Sequence, residues 1–254
     1  MKRFILAVLA CVAFPLFCGA QNVTLVTLDW PPYVDSGMNN KGFNAEIVSE
    51  AFKRVGYTAK IEFADWDAAV AKASQGKYDG LFPEYYSKER EQDFIYSNFF
   101  SNSLLVFYKR KGAKINYTSP KKLQELSSYK IGVVKGYINT AEFDAATYLK
   151  KFEADSDEAN LKKLLNKELD IIVIDKLVAQ YLLQKHMPGA AAQLEPMDPP
   201  LIIHPLFLLF PKKNPNSQKL CDDFNKGFNM ISKDGTANAI MKRSSLQWSI
   251  EPAK

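Results

Sequence analysis

The sequence predicts an α/β protein of two lobes joined by a pair of extended strands. Three observations carry that expectation. Residues 23–82 alternate strand and helix patterns, residues 123–184 repeat the alternation, and two extended apolar segments, Ser103–Tyr108 and Leu206–Phe210, lie between and after these units. Alternating patterns of this kind build largely parallel sheets with helices packed on them.

In the first unit, Val23–Leu28 is β-branched and apolar, as a buried strand is, and ends at the rigid Trp30-Pro31-Pro32-Tyr33 stretch. Gly42-Phe43-Asn44 opens a helix whose Ile47, Val48, Ala51, Phe52 and Val55 recur at three- and four-residue steps until Gly56. A strand at Ala59–Phe63, a helix at Ala68–Ala73 and a strand at Tyr78–Phe82 complete it. The second unit reads as a short helix from Leu123, a strand at Lys130–Val134, and a turn at Gly136 into a helix over Thr140–Lys150. A helix at Ala159–Leu165, a strand at Leu169–Ile174 ending in Asp175, and a helix at Leu177–Gln184 follow. One apolar segment leaving the first lobe and one returning make a two-strand hinge. The helix carrying Leu220, Phe224, Phe228 and Ile231 on one face then packs back on the first lobe. The expected division is a first lobe of residues 21–109 and 210–254, with residues 110–209 as the second.

Residues 1–20 read as a leader. Lys2 and Arg3 precede an apolar run from Phe4 to Phe17, and the small pair Gly19-Ala20 precedes polar Gln21. That pattern fits a signal peptide cleaved after Ala20, with an uncleaved anchor or a lipoprotein using Cys11 or Cys18 as alternatives. Cleavage leaves Cys221 alone, so an internal disulfide and a cysteine-pair metal site are both excluded. It also removes two of 33 basic residues and none of 28 acidic ones, taking the formal charge from +5 to +3. So mild and evenly spread a balance argues against nucleic acid as a partner. With 47% hydrophobic and 24% charged residues, the chain is composed as an ordinary globular protein.

The order Gly42-Phe43-Asn44, Asp79-Gly80, Ser87-Lys88-Glu89-Arg90 and Tyr96-Ser97 resembles the family-three extracellular solute-binding proteins. So does the later order Gly132-Val133, Lys135-Gly136, Asp170 and Asp175. These are the polar amino-acid receptors of ABC importers, and the resemblance implies the type II periplasmic-binding fold with a ligand cleft between lobes. It also implies roles. Arg90 matches the arginine that grips the ligand's α-carboxylate, a task suited to a planar guanidinium fork. The alternative is a solvated arginine in a charged run. Asp175 matches the acid that accepts from the α-ammonium, and as a plain helix N-cap it would also be at home. Trp66 and Trp30 match aromatic walls, with core or loop-propping roles as alternatives. Ser87 would assist near Arg90, and backbone N–H groups at Gly136 and Tyr137 would meet the carboxylate. Three positions depart from the family: Tyr85 and Pro83 stand where Ser or Thr and a small residue are usual, and Tyr137 where Thr is frequent. Rings replace small contacts, which weakens the inference to a standard α-amino acid.

A binding protein of this class needs no catalytic group, metal or cofactor. Its expected partners are a small-molecule ligand and a separate ABC permease in the inner membrane, its expected state a monomer and its place the periplasm. The rivals are a fold-sharing periplasmic enzyme, such as a cyclohexadienyl dehydratase, with Glu84 as its candidate acid or base, and a ligand-sensing partner of a membrane receptor. His186 and His204 suggest no hydrolytic triad.

Overall fold

The computed structural model describes residues 21–243, so the expected leader and residues 244–254 lie outside it. The chain runs β1 (Gln21–Thr27), α1 (Phe43–Arg54), β2 (Tyr57–Phe63), α2 (Trp66–Ser74), β3 (Gly80–Glu84), β4 (Phe94–Tyr96) and β5 (Ser101–Arg110). It continues with β6 (Lys130–Val134), α3 (Ala141–Ala145), β7 (Lys150–Ala154), α4 (Asp157–Leu165), β8 (Ile171–Asp175) and α5 (Lys176–Lys185). The last elements are β9 (Leu194–Pro196), β10 (Ile202–Pro211), α6 (Ser217–Lys233) and α7 (Thr236–Arg243).

The strands follow the order β2-β1-β3-β10-β5-β8-β6-β7. β1 pairs in parallel with both β2 and β3, and β6 in parallel with both β7 and β8. Between these parallel trios lie β5 and β10, antiparallel to each other from Ser101↔Leu206 to Leu105↔Ile202. The residues of β10 beyond that stretch pair with β3 and β4, whereas β5 goes on to pair with β8 and β9. Each long strand is thus shared between two halves of the sheet, and the crossing sits at the middle of β10 and the start of β5.

Local chemistry sets the element boundaries. Ser156 and Thr140 cap α4 and α3 by accepting from Ala159 N–H and Phe143 N–H. α6 buries Leu220, Cys221, Phe224 and Ile231, with Phe224 against Phe52 of α1 at 5.4 Å between ring centres. The two helices touch backbone to backbone at Gly227, where an added Cβ would lie 2.0 Å from the Ala51 carbonyl oxygen. The C-terminal helices therefore belong to the layer of α1.

The expected helix over residues 140–150 is a correction. α3 stops at Ala145 because Ala146 turns to φ −72°, ψ 95°, and the chain then forms β7 alongside β6. β7 has a mostly exposed pattern with Phe152 facing solvent, so it lacks the apolar alternation that marks a half-buried strand. The three-residue strands β4 and β9 were not expected either, being too short to show a period.

Candidate functional site

Parallel strands deliver their C-terminal ends to one crevice, where ligand sites of α/β proteins form. From the first half, β1 leads to Trp30, β3 ends in Pro83 and Glu84 and passes to Tyr85, and α2 begins with Trp66. From the second, β6 leads into the Gly136–Asn139 turn, β7 into Asp157 at the start of α4, and β8 into Asp175. These ends enclose a cavity of about 360 Å³. All nine expected residues line it: Trp30, Trp66, Pro83, Tyr85, Ser87, Arg90, Gly136, Tyr137 and Asp175.

The walls are aromatic. Trp30 stacks on Tyr33 at 4.2 Å and meets the edge of Tyr85 at 6.2 Å. Tyr85 stacks on His204 at 4.4 Å, and His204 Nε2 donates to the Asn139 carbonyl at 2.6 Å. Burial holds the His204 imidazole below its usual range, so a neutral ring backs the wall. Trp66 is half-buried and also packs on the cluster containing Val26, Leu81 and Phe94, so its wall and core roles coincide. Tyr96 explains its fixed offset from Ser87: its hydroxyl accepts from Ser87 N–H at 3.0 Å and donates to Ser87 O at 3.1 Å, pinning the Ser87–Arg90 turn.

Arg90 lies in a single 3-10 turn rather than in a solvated helix. Its Nε donates to Glu84 Oε2 at 3.3 Å, and Glu84 Oε1 accepts from Tyr85 N–H at 3.0 Å. Burial pushes the Glu84 carboxyl up, against the downward pull of Arg90. The remaining guanidinium nitrogens of Arg90 make no hydrogen bond among the described residues.

Asp175 is fully engaged. Oδ1 accepts from Leu177 N–H at 2.8 Å and Val178 N–H at 3.0 Å, capping α5. Oδ2 accepts from Tyr33 Oη at 2.9 Å, Ser103 Oγ at 2.7 Å and Leu104 N–H at 2.9 Å. Because the Ser103 proton goes to Asp175, the 2.8 Å contact between Tyr85 Oη and Ser103 Oγ has Tyr85 donating. Five donors saturate the roughly four lone-pair directions of a carboxylate. The N-cap alternative is thus realised, and the acid ties β5, α5 and the Tyr33 loop together. Likewise the Tyr137 N–H closes a turn on Val134 O at 3.2 Å, so of the two backbone donors expected there only that of Gly136, at φ 78°, is left without a partner among the described residues.

The sequence reading missed Asp157, which is 8% exposed and lines the cavity. Its carboxylate has no hydrogen-bond partner among the described residues. Burial, then the nearby charge of Asp175, pushes it up to about 7. The Ser156-Asp157-Glu158 capping signature was visible, but placing it at the cleft required β7. The family model for bacterial extracellular solute-binding proteins, family 3, matches residues 23–246.

The chain belongs to that family.

Solved structures share the fold of this solute-binding family member. A histidine kinase sensor domain with similarity to periplasmic binding proteins aligns at TM-score 0.76 and 17% identity, covering 92% of this chain and 99% of its own. The GluR0 ligand-binding core from Nostoc punctiforme, in complex with L-glutamate, aligns at TM-score 0.69 and 17% identity, covering 87% and 98%. A substrate-binding protein of an ABC uptake transporter from Streptococcus pneumoniae, with bound histidine, aligns at TM-score 0.68 and 19% identity, covering 87% and 91%. A search of curated proteins finds no match. The family is extracellular by description, which places this solute-binding protein in the periplasm or outside the cell. Among the described residues no helix is long and apolar enough to cross a membrane.

Proposed function

We propose that the cleft closes over a small polar ligand, an amino acid or an analogue, and that the protein delivers it to an ABC permease. One observation carries the reading: Arg90 from one half and an acid-bearing wall from the other face a single ring-lined cavity at strand C-termini. Ligand contacts both halves only when the cleft is shut, so binding favours the closed form. Arg90 would hold a carboxylate with its free nitrogens, while Trp30, Trp66, Tyr85 and Tyr137 cover the apolar part of the ligand. Ser87, Pro83 and Gly136 shape the carboxylate end. The lobes would hinge on β5 and β10, and the protein would act as a periplasmic monomer.

Glu84, the candidate catalytic group of the rival enzyme, is better described as the partner of Arg90, which favours binding over turnover. Relatives named for glutamate and histidine support an amino-acid ligand, and the sensor-domain relative keeps signalling as a second reading. The test is a thermal-shift screen of the mature protein against amino acids, amines, peptides and cyclic carboxylic acids. The proposal expects a concentration-dependent rise for an amino acid or analogue that Arg90→Ala removes. Stabilisation by a cyclic acid alone, with turnover, would replace it by the enzyme.

A further inference from the structure

The acids of the cleft outnumber its bases. Asp67, Glu84, Glu89, Asp157 and Asp175 line the cavity, against Arg90 alone. Their surroundings separate them. Glu84 is matched by Arg90, Asp175 is saturated by five donors, and Asp67 and Glu89 are exposed at the rim. Asp157 is buried and opens onto the cavity, yet nothing among the described residues donates to it. Buried carboxylates are ordinarily paired, so one without a donor that faces a binding cavity points to a partner arriving with the ligand. Glu84 already balances Arg90 and neutral donors satisfy Asp175, so a ligand of zero net charge would leave Asp157 without a counter-charge. A ligand of net charge +1 would supply one.

We propose, resting on the ligand-binding reading above, that Asp157 determines specificity by pairing with a protonated amine or guanidinium, and that the ligand is a net cation. The groups facing Asp157 are Asp175 at the β8–α5 corner, Tyr85 after β3 and Tyr137 after β6. Burial raises the Asp157 carboxyl and both phenols most; the charge of Asp175 adds to the rise of Asp157 and of Tyr85, and that of Asp157 adds to the rise of Tyr137 and, more weakly, of Tyr85. None of these supplies a positive charge. His204, behind Tyr85, is held neutral by burial and lies below its ordinary range. A bound cation holds Asp157 ionised, so association near pH 7 releases a proton from Asp157, and affinity weakens as the pH falls below about 7.

The experiment measures affinity by calorimetry for matched probes: arginine with its uncharged isostere citrulline, lysine with norleucine, and the decarboxylated amines agmatine and cadaverine. Glutamine and glutamate are controls. At pH 8 at least one cationic probe is expected to bind ten-fold or more tightly than its uncharged partner. Repeating the titration in buffers of different ionisation enthalpy at pH 7 should show proton release, and affinity should drop up to ten-fold per pH unit below 7. Asp157→Asn should abolish both the preference and the proton release while its circular dichroism matches the parent. Agmatine or cadaverine binding as well as the amino acids would identify an amine ligand, and weak binding by them a basic amino acid; either supports the role of Asp157. Tight binding of an uncharged or acidic amino acid, unchanged in Asp157→Asn, would overturn the inference and leave the binding proposal standing. Failure of every probe would overturn both.

Discussion

Asp175→Ala is expected to destabilise the ligand-free protein by about 3 kcal/mol. Loss of the α5 cap costs about 1 kcal/mol. Three further donors, Tyr33 Oη, Ser103 Oγ and Leu104 N–H, lose their acceptor, and each unsatisfied buried donor costs about 1–3 kcal/mol. The adjoining cavity admits water, so the lower end applies, giving about 4 kcal/mol with the cap. Removing a carboxylate whose charge burial disfavours returns about 1 kcal/mol. Asp175→Asn should be milder, at about 1–2 kcal/mol. Asn still caps, and the two hydroxyls can reverse to accept from its amide, so only Leu104 N–H is left facing a donor. Urea unfolding followed by circular dichroism measures both, with the ordering parent, Asn, Ala as the signature. An Ala variant within about 1 kcal/mol of the parent would refute the idea that this acid holds the β5–α5 junction together, and would return it to the ligand.

Arg90→Ala should weaken ligand binding about 10–150-fold, the 1.5–3 kcal/mol of a charge-assisted bond, and should push the buried Glu84 carboxyl higher still; calorimetry and carboxyl NMR titration measure the two effects. Asp157→Asn should stabilise the ligand-free protein at pH 8 but not at pH 4. Asp157 titrates at about 7 when folded and about 4 when unfolded, so the unfolded chain binds fewer protons between those values and parent stability falls as pH rises through them, by at most about 4 kcal/mol. Comparing parent and variant melting temperatures across that range cancels Glu84, whose raised carboxyl acts with the same sign in both, and leaves the contribution of Asp157 together with its coupling to Asp175. Gly227→Ala should cost about 1–3 kcal/mol in urea, because its Cβ would meet the Ala51 carbonyl, although Ala normally improves a helix; a stabilised variant would mean that α1 and α6 part freely.

The sequence made legible whatever has a strong period or a strong stop. α1 was announced by five apolar residues on one face, with Gly56 after it. β1, β6 and β8 were announced by runs buried on both sides. β7 was not, because an edge strand with Lys150, Phe152 and Glu153 facing water has no face to hide. That one misreading concealed Asp157, since an acid after an N-cap serine is unremarkable until the strand before it is known to end at a cleft. The nine cavity residues were legible from family register. The bonds of Asp175 and Tyr137 were not, because they depend on Tyr33, Ser103 and Val134, which spacing does not connect to them.

The two buried acids of the second half show how neighbours decide what a carboxylate does. Asp175 and Asp157 each follow a strand and open a helix, and burial raises both. Around Asp175, hydroxyls from β5 and the Tyr33 loop add to two helix N–H groups, so its charge is spent on holding two halves in register. Around Asp157, Ser156 already caps the helix, which frees the side chain from that duty and leaves its charge facing the cavity. A carboxylate in that position is destabilising without a partner, and if the cleft closes as proposed the cost is largest where closure excludes water. On the proposed reading, a cation that brings its own positive charge lowers the energy of the closed form more than that of the open one. That difference, rather than affinity for either lobe alone, is what a closure-driven receptor requires.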